Sequence, residues 1–243
     1  MKNHLNSCGK TRYTIDYYSN KWSRYDIGKL RRRIENFEPL LRFILKISDI
    51  KPDMKILDVG TGLGTVPILI LEKFEKISDI KIYGIDPSPI AISNATKFTK
   101  EYGYQKAIEY KLGSFEDIPF PEKSFDLIIS NASFNLCTNK IKAIDEMYRV
   151  VKNKGQIIIA DCFRKEKECK SIQEDNEELW AHCITGAVTT GWLIANFKEK
   201  NIIFIKKEEL TEIVRSMVLK EQWKWREFIE YNLEYYSLLF HCN

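Results

Sequence analysis

Three glycines at alternate positions, Gly60, Gly62 and Gly64, close the segment KILDVGTGLGT, which runs from Lys55 to Thr65. Glycine reaches positive φ without steric cost and carries no side chain, so a turn of this kind lets a ligand lie against bare backbone. The apolar run before it reads as a buried strand and the run after it as a helix. Further along, IYGIDPS ends a second apolar run with Asp86, a carboxylate placed to accept hydrogen bonds from ribose hydroxyls. A strand, a glycine turn, a helix and an acid at the end of the next strand together point to a nucleoside cofactor. A dinucleotide site would want its third glycine at position 65, where Thr65 stands. Pyrophosphate recognition is therefore not signalled.

These residues need a scaffold, and the surrounding pattern supplies one. Strands are expected at Lys55–Val59, Lys81–Ile85, Ile108–Leu112, Phe125–Ser130 and Gln156–Ala160, with helices over Thr65–Lys76, Pro89–Tyr102 and Lys140–Lys152. Short apolar strands alternating with amphipathic helices imply a parallel sheet covered on both faces. Upstream, Ile34, Phe37, Leu40, Leu41, Ile44 and Leu45 recur at helical spacing, which predicts helix over Tyr13–Ser48. Downstream of Asp161, a charged stretch, Arg164–Glu178, precedes a helix at Thr189–Lys200, a strand at Ile202–Lys206, a helix from Glu208 and an aromatic-rich tail, Trp223–Phe240. A last strand within Tyr235–Cys242 is expected to enter antiparallel, since an edge return needs no crossover helix. One helix over Trp223–Leu239 is the other reading of that tail. The fold class is α/β: a doubly wound, seven-stranded, mostly parallel sheet. Residues 1–50 are expected to form a helical segment, 51–163 a core that binds the nucleoside cofactor, and 164–243 to complete the sheet on the substrate side.

Composition narrows the partners. A chain of 243 residues with 44% apolar content fits one α/β domain with additions. Its 38 basic and 34 acidic residues leave a net charge of +4, interleaved as in Phe197–Lys200 and Lys206–Glu209. That is a solvated surface and not a nucleic-acid footprint. The one basic run, Lys29–Arg33, reads as the exposed face of a helix. The opening Met1–Thr14 lacks the apolar core of a signal peptide, and the apolar stretch Val66–Leu71 holds a proline and is too short to span a membrane. A cytoplasmic chain without membrane insertion is expected, its six cysteines reduced. With no CxxC pair and three scattered histidines, no metal site is expected.

The fuller pattern closely resembles class I S-adenosylmethionine-dependent methyltransferases. LDVGTGLG, GIDPS, GSFEDIPFPEKSFDLIISN and EMYRVVKNKGQIIIAD stand in that family's order between Lys51 and Asp161. The resemblance implies a Rossmann-like methyltransferase fold, S-adenosylmethionine as cofactor and a small-molecule acceptor. It implies that Asp58, Gly60 and Gly62 surround the methionine portion, that Asp86 binds the ribose, and that Ser114 and Phe115 lie against the adenine. Thr61 and Pro87 join the cofactor-binding set, and Asn131, ending the fourth strand, faces the reaction crevice. The segment YYSNKWSRYD, with Tyr17, Tyr18 and Trp22, resembles the family's lid; Tyr13 precedes it. A sulfonium is already an activated methyl donor, so the protein has only to exclude water and align the nucleophile. No catalytic triad is required. Asn131, Tyr18 and Cys183 are the candidates for a catalytic role.

Two branches of that family are echoed. FPEKSFDLIIS resembles the ubiquinone/menaquinone C-methyltransferases, and LWAHCITGA, Leu179 to Ala187, resembles the arsenite methyltransferase segment that carries a metalloid-binding cysteine, here Cys183. Those enzymes pair it with a cysteine where this chain has Ala132, and Cys137, five residues on, is the nearest substitute. Trivalent arsenic is soft and wants two or three thiolates together. Cys183 is therefore either a small buried hydrophobe or a thiol of lowered pKa partnered by Cys137, Cys162 or Cys169. His182 is expected to point away from it. Trp180, Trp192, Trp223, Trp225, Tyr235 and Tyr236 read as core more than as a substrate cage. The rival to an enzyme is a methyltransferase-like fold kept as a binding or partner subunit.

Overall fold

The computed structural model describes residues 2–73, 79–165, 176–221 and 225–243. Helices α1 (Lys2–Trp22) and α2 (Ile27–Lys46) lead into the alternating part: β1 (Lys55–Val59), α3 (Thr65–Lys73), β2 (Lys81–Asp86), α4 (Pro89–Glu101), β3 (Ile108–Leu112), β4 (Phe125–Asn131), α5 (Lys140–Val150) and β5 (Val151–Arg164). Then come α6 (Glu177–Ala181), α7 (Thr190–Glu199), β6 (Ile202–Glu209), α8 (Thr211–Glu221), α9 (Trp225–Glu230) and β7 (Leu233–Cys242). The strand order is β3-β2-β1-β4-β5-β7-β6. Neighbours from β3 through β5 pair in parallel, and β7 is antiparallel to both β5 and β6. The antiparallel last strand and the doubly wound, mostly parallel sheet are as expected; Trp223–Leu239 is not one helix.

Alternation along the strands divides the core into two layers. Ile56, Ile82, Ile129 and Ile158 pack with Leu30, Ile34 and Leu41 of α2. Their strand neighbours Leu57, Ile128 and Ile157 pack on the opposite face with Ile144 of α5 and Phe197 of α7. Successive side chains of a strand point to opposite faces, so a strand covered on both sides must be apolar at nearly every position. Asp58, 1% exposed near the carboxyl end of β1, breaks that rule.

Several boundaries differ from the sequence expectation. The helix expected over Tyr13–Ser48 is two, because Asp26 caps a new helix: its side chain accepts the Lys29 N–H at 2.8 Å. The first of them also begins earlier, at Lys2. The expected strand Gln156–Ala160 extends forward to Arg164, since β7 offers a ladder from Gln156↔His241 to Arg164↔Leu233, and back to Val151, which pairs with Phe125 of β4. For the same reason Glu208 and Glu209 join β6, paired with Ser237 and Tyr236, and the helix expected from Glu208 starts at Thr211. Lys76, Cys169 and Trp223 lie outside the described residues.

The chain order places β1 beside both β2 and β4, so the helices that follow β1 and β4 leave toward opposite faces and open a crevice at the carboxyl ends of these strands. Beyond it, β7 is locked in by Phe240, fully buried with its ring centroid 4.4 Å from that of Phe197 and 5.9 Å from that of Phe204. Phe240→Ala is expected to destabilise the fold by about 3–5 kcal/mol through the cavity it leaves, measured as a shift of the urea unfolding midpoint.

Candidate active site

The glycine turn is built for close approach. Gly60, Gly62 and Gly64 have φ of 77°, 54° and 75°, the left-handed region that only glycine enters freely. The N–H groups of Gly60 and Thr61 both donate to Ile85 O at 2.9 Å, fastening the turn to the end of β2. A Cβ on Gly60 would land on the Ser133 side chain, and one on Gly62 would touch the Trp22 ring at 3.5 Å. Ser133 is itself held, its Oγ donating to Val59 O at 2.8 Å. Bare backbone is thus demanded by space at Gly60, and at Gly62 by the positive φ alone, the Trp22 ring lying at ordinary contact distance.

Around this turn one cavity is bordered by Asp58, Gly60, Thr61, Gly62, Asp86, Pro87, Ser114, Phe115 and Asn131. All the residues assigned to cofactor binding by sequence therefore converge. Asp86 accepts the Gly62 N–H on Oδ2 at 3.0 Å and the Ser88 N–H on Oδ1 at 2.9 Å. Burial pushes its carboxyl up to about 6 against the pull of those two donors. Asp58 is pushed further, to about 7, by burial first and by the charge of Asp86, opposed by the nearby Thr61 hydroxyl. Asp58 Oδ2 and Thr61 Oγ1 are buried without a well-formed hydrogen bond in the protein. Buried polar atoms left open in this way are costly unless a ligand completes them.

The catalytic candidates separate. Tyr18 and Asn131 border the cavity. Tyr18 Oη donates to Ala181 O at 2.9 Å, which docks α1 on α6, and its phenol is raised well above 10 by burial. Asn131 Oδ1 lies 2.9 Å from the hydroxyl of Tyr235, which is also 3.0 Å from Ala160 O and is likewise raised by burial. Cys183 does not border the cavity. It is 1% exposed, and its Sγ donates to Ala132 O at 3.6 Å. Burial pushes the thiols of Cys183 and Cys162 well up and that of Cys137 to about 12. Such groups are protonated at neutral pH, the opposite of a metal-binding thiolate.

The local backbone accounts for Cys183. The Cys183 N–H donates to Trp180 O at 2.9 Å and the Ile184 N–H to Leu179 O at 3.0 Å, with Cys183 at φ 64°. This is a Schellman ending of α6, with cysteine at the position glycine usually takes. Next to it, His182 Nε2 meets Tyr17 Oη at 2.9 Å, so the histidine serves the lid and the two residues form no Cys-His pair.

Four cavity residues carried little sequence signal as site residues. Ser133 sits in the loop after β4, whose path is fixed by Asn135, its N–H on Asp161 Oδ2 at 3.1 Å and its Nδ2 on Cys162 O at 2.7 Å. Tyr235 reaches the site from β7, at the far end of the sequence; it read as core. Lys21 and Arg33 come from the lid, and Arg33 belongs to the run that read as an exposed helical face. Lys29 and Arg32 are indeed exposed, whereas Arg33 turns inward, its guanidinium 4.3 Å from the Phe37 ring centroid and 5.1 Å from that of Trp22.

A family model described as a methyltransferase domain matches residues 50–226. The chain is 28% identical to the arsenite methyltransferase of Halobacterium salinarum over 166 residues, 67% of this chain and 41% of that one. It is 31% identical to the ubiquinone/menaquinone biosynthesis C-methyltransferase UbiE of Citrifermentans bemidjiense over 120 residues, 49% of this chain and 50% of that one. The chain thus spans half or less of the length of these curated relatives. Among solved structures, the geranyl diphosphate C-methyltransferase of Streptomyces coelicolor A3(2) superposes with a TM-score of 0.72 at 14% identity, covering 84% of this chain and 79% of that one, a likeness of fold.

The open carboxylate leaves a mark on stability. Folding raises the Asp58 pKa from 3.8 to about 7, so in that window the folded chain binds a proton the unfolded chain has released. Stability therefore falls as pH rises from about 4 to about 7, through this group. Asp58→Asn is expected to melt higher than the parent at pH 8, with the difference closing toward pH 4, as thermal melts across that range would record.

Proposed function

The chain belongs to the methyltransferase domain family, and on that premise we propose that it is an S-adenosylmethionine-dependent methyltransferase whose acceptor is a small organic molecule. The observation that carries the reading is the crevice itself: a glycine turn with no room for a Cβ at Gly60 or Gly64, facing two buried carboxyls, one of which, Asp58, keeps its Oδ2 without a hydrogen bond. When bound, S-adenosylmethionine supplies an activated methyl group on a sulfonium. In this reading Asp58 and Thr61 meet the amino-acid end, since a cationic amine completes an open buried carboxylate. Asp86 takes the ribose hydroxyls while keeping its two N–H donors, because each carboxylate oxygen has two lone pairs. Pro87 lies beside it, and Ser114 and Phe115 flank the adenine.

The remaining task of the protein is to exclude water and aim the acceptor. Asn131 and Tyr235, hydrogen-bonded to each other, and Tyr18 from the lid border the reaction side. Both phenols are raised by burial and already donate their one proton within the protein, so they hold the wall in place and present lone pairs to an acceptor, and do not act as bases. An acceptor that is nucleophilic without prior deprotonation suits such a site. We read residues 1–50 as the lid, 51–163 as the cofactor core and 164–243 as the substrate side, in a cytosolic protein. No described helix is long and apolar enough to cross a membrane.

Arsenite is expected to be a poor acceptor. Among the described cysteines Cys137 alone borders the cavity, and soft-metalloid chemistry needs convergent thiolates. A screen of methyl transfer by mass spectrometry, over small organic acceptors and arsenite with added thiol, tests this and separates an enzyme from a binding subunit. Cys183→Ser is expected to change turnover of the true acceptor less than about tenfold, a barrier change under about 1.4 kcal/mol. A larger loss, or arsenite turnover abolished by that substitution, would reinstate the thiol.

Calorimetry with S-adenosylhomocysteine tests the cofactor directly. Asp86→Ala is expected to weaken binding by about 2–4 kcal/mol, through polar groups left unpaired in the complex. Affinity of the parent should rise as pH increases through about 7, where Asp58 ionises. Unchanged affinity in Asp86→Ala would refute the ribose assignment.

A further inference from the structure

One side of the crevice is closed by a bridge over three strands. β4, β5 and β7 are consecutive in the sheet, so with neighbouring strands about 4.8 Å apart the outer two stand roughly 10 Å from each other. A single pair of side chains spans that distance. Asn131 ends β4 and Tyr235 stands in β7. The Tyr235 Oη lies 3.0 Å from Ala160 O, on the strand between, and 2.9 Å from Asn131 Oδ1. Both side chains border the cavity.

A phenol has one proton, and here two oxygens compete for it. Burial keeps that proton on Tyr235. Ala160 O already accepts the Ala132 N–H at 2.8 Å, whereas among the described residues Tyr235 is the donor that reaches Asn131 Oδ1. The proton therefore serves the amide, and it decides which way the amide faces. The two ends of an asparagine amide have nearly the same shape, so their hydrogen bonds set which end points where. With the carbonyl end held by Tyr235, the NH2 end is turned away from it. Nδ2 has no hydrogen bond to a described residue and is not one of the buried atoms left without one; it is open to the cavity that Asn131 borders. Of the three side chains at the reaction side, Tyr18 gives its proton to Ala181 O and Tyr235 gives its own to Asn131. The amide N–H pair is the donor they leave for a ligand.

We propose that Tyr235 is a positioning residue for the methyl acceptor: by holding the carbonyl end of Asn131 it points the N–H pair into the crevice, and the acceptor carries an oxygen that receives it, conjugated to the atom that is methylated. A donor on the attacking atom itself would tie up the lone pair that the reaction uses. On an oxygen conjugated to that atom, the donor fixes the acceptor and leaves the attacking lone pair free. Carboxylates and enolates have that form. The lone pair forms the new bond to the methyl carbon, the S–C bond breaks with its electron pair left on sulfur, and the anionic and sulfonium charges cancel without proton transfer. No base is called for, in keeping with two protonated phenols. That the oxygen belongs to a methyl acceptor rests on the function proposed above; the direction of the amide does not.

The test is an NMR titration of the isotope-labelled full chain, with and without S-adenosylhomocysteine, the Asn131 side-chain signals being assigned by their loss in Asn131→Ala. The probes are benzoate and cyclohexane-1,3-dione, an enolate at neutral pH, against aniline, whose NH2 is a donor. Both anions should bind at least about fivefold tighter than aniline and move the Asn131 NH2 signals downfield. Tyr235→Phe removes one oxygen and should weaken benzoate binding at least about fivefold, since the bound amide would keep its carbonyl end buried and unpaired. Its S-adenosylhomocysteine affinity should stay within about twofold of the parent. In an Asn131→Ala background the same substitution should change benzoate binding less than about twofold, because Tyr235 acts through the amide. Asn131→Asp keeps the shape and the Tyr235 bond but replaces the NH2 end by an oxygen, and should lose the preference for benzoate even where Tyr235→Phe does not fold. Losses that add in the double variant, NH2 signals that respond to neither anion, or tighter binding of aniline, which would turn the carbonyl end to the crevice, would each overturn the proposal. A parent that fails to bind S-adenosylhomocysteine yet keeps the Asn131 response to benzoate would sink the methyltransferase reading and leave the direction of the amide standing.

Discussion

The structure turns on the burial of two carboxyls, Asp58 and Asp86, against a turn that has no side chains of its own. Burying a carboxylate is expensive unless donors meet it. Asp86 is met by two backbone N–H groups, one supplied by the glycine turn and one by the start of α4. Asp58 is not met in this way, and its raised pKa records the deficit. A core could have filled that position with an apolar side chain at a gain in stability; a polar atom kept open there makes sense as one half of a contact whose other half is a ligand.

That arrangement constrains its neighbours. Gly60 can carry no side chain because Ser133 occupies the space, and Ser133 is there because Val59 O and the Asn135 contacts hold the loop after β4. Gly62 is roofed by Trp22, which ties the lid to the cradle. The lid is anchored in turn by Tyr18 on Ala181 O and by Tyr17 against His182. The segment that looks most like a thiol site is thus the landing place of the lid, and the sulfur of Cys183 is turned into the core beneath it.

The sequence by itself determined the alternating scaffold, the glycine turn and the acid at the end of β2, because each is a local matter: strand and helix periodicity, positive φ at fixed positions, and a carboxylate one strand along. The antiparallel last strand was legible too, though only as one of two readings. The tertiary structure alone decided what depends on distant partners. The carboxyl ends of β5 and β6 were set by pairing with β7. The break at Asp26 is carried by a local cap, but the docking of α1 on α6 needed both elements in place. Tyr235 became a neighbour of Asn131 across 104 positions, and the sulfur of Cys183 was placed against Ala132 O and out of the cavity. Side-chain direction and burial are sums over the whole packed chain, and no window of sequence contains them.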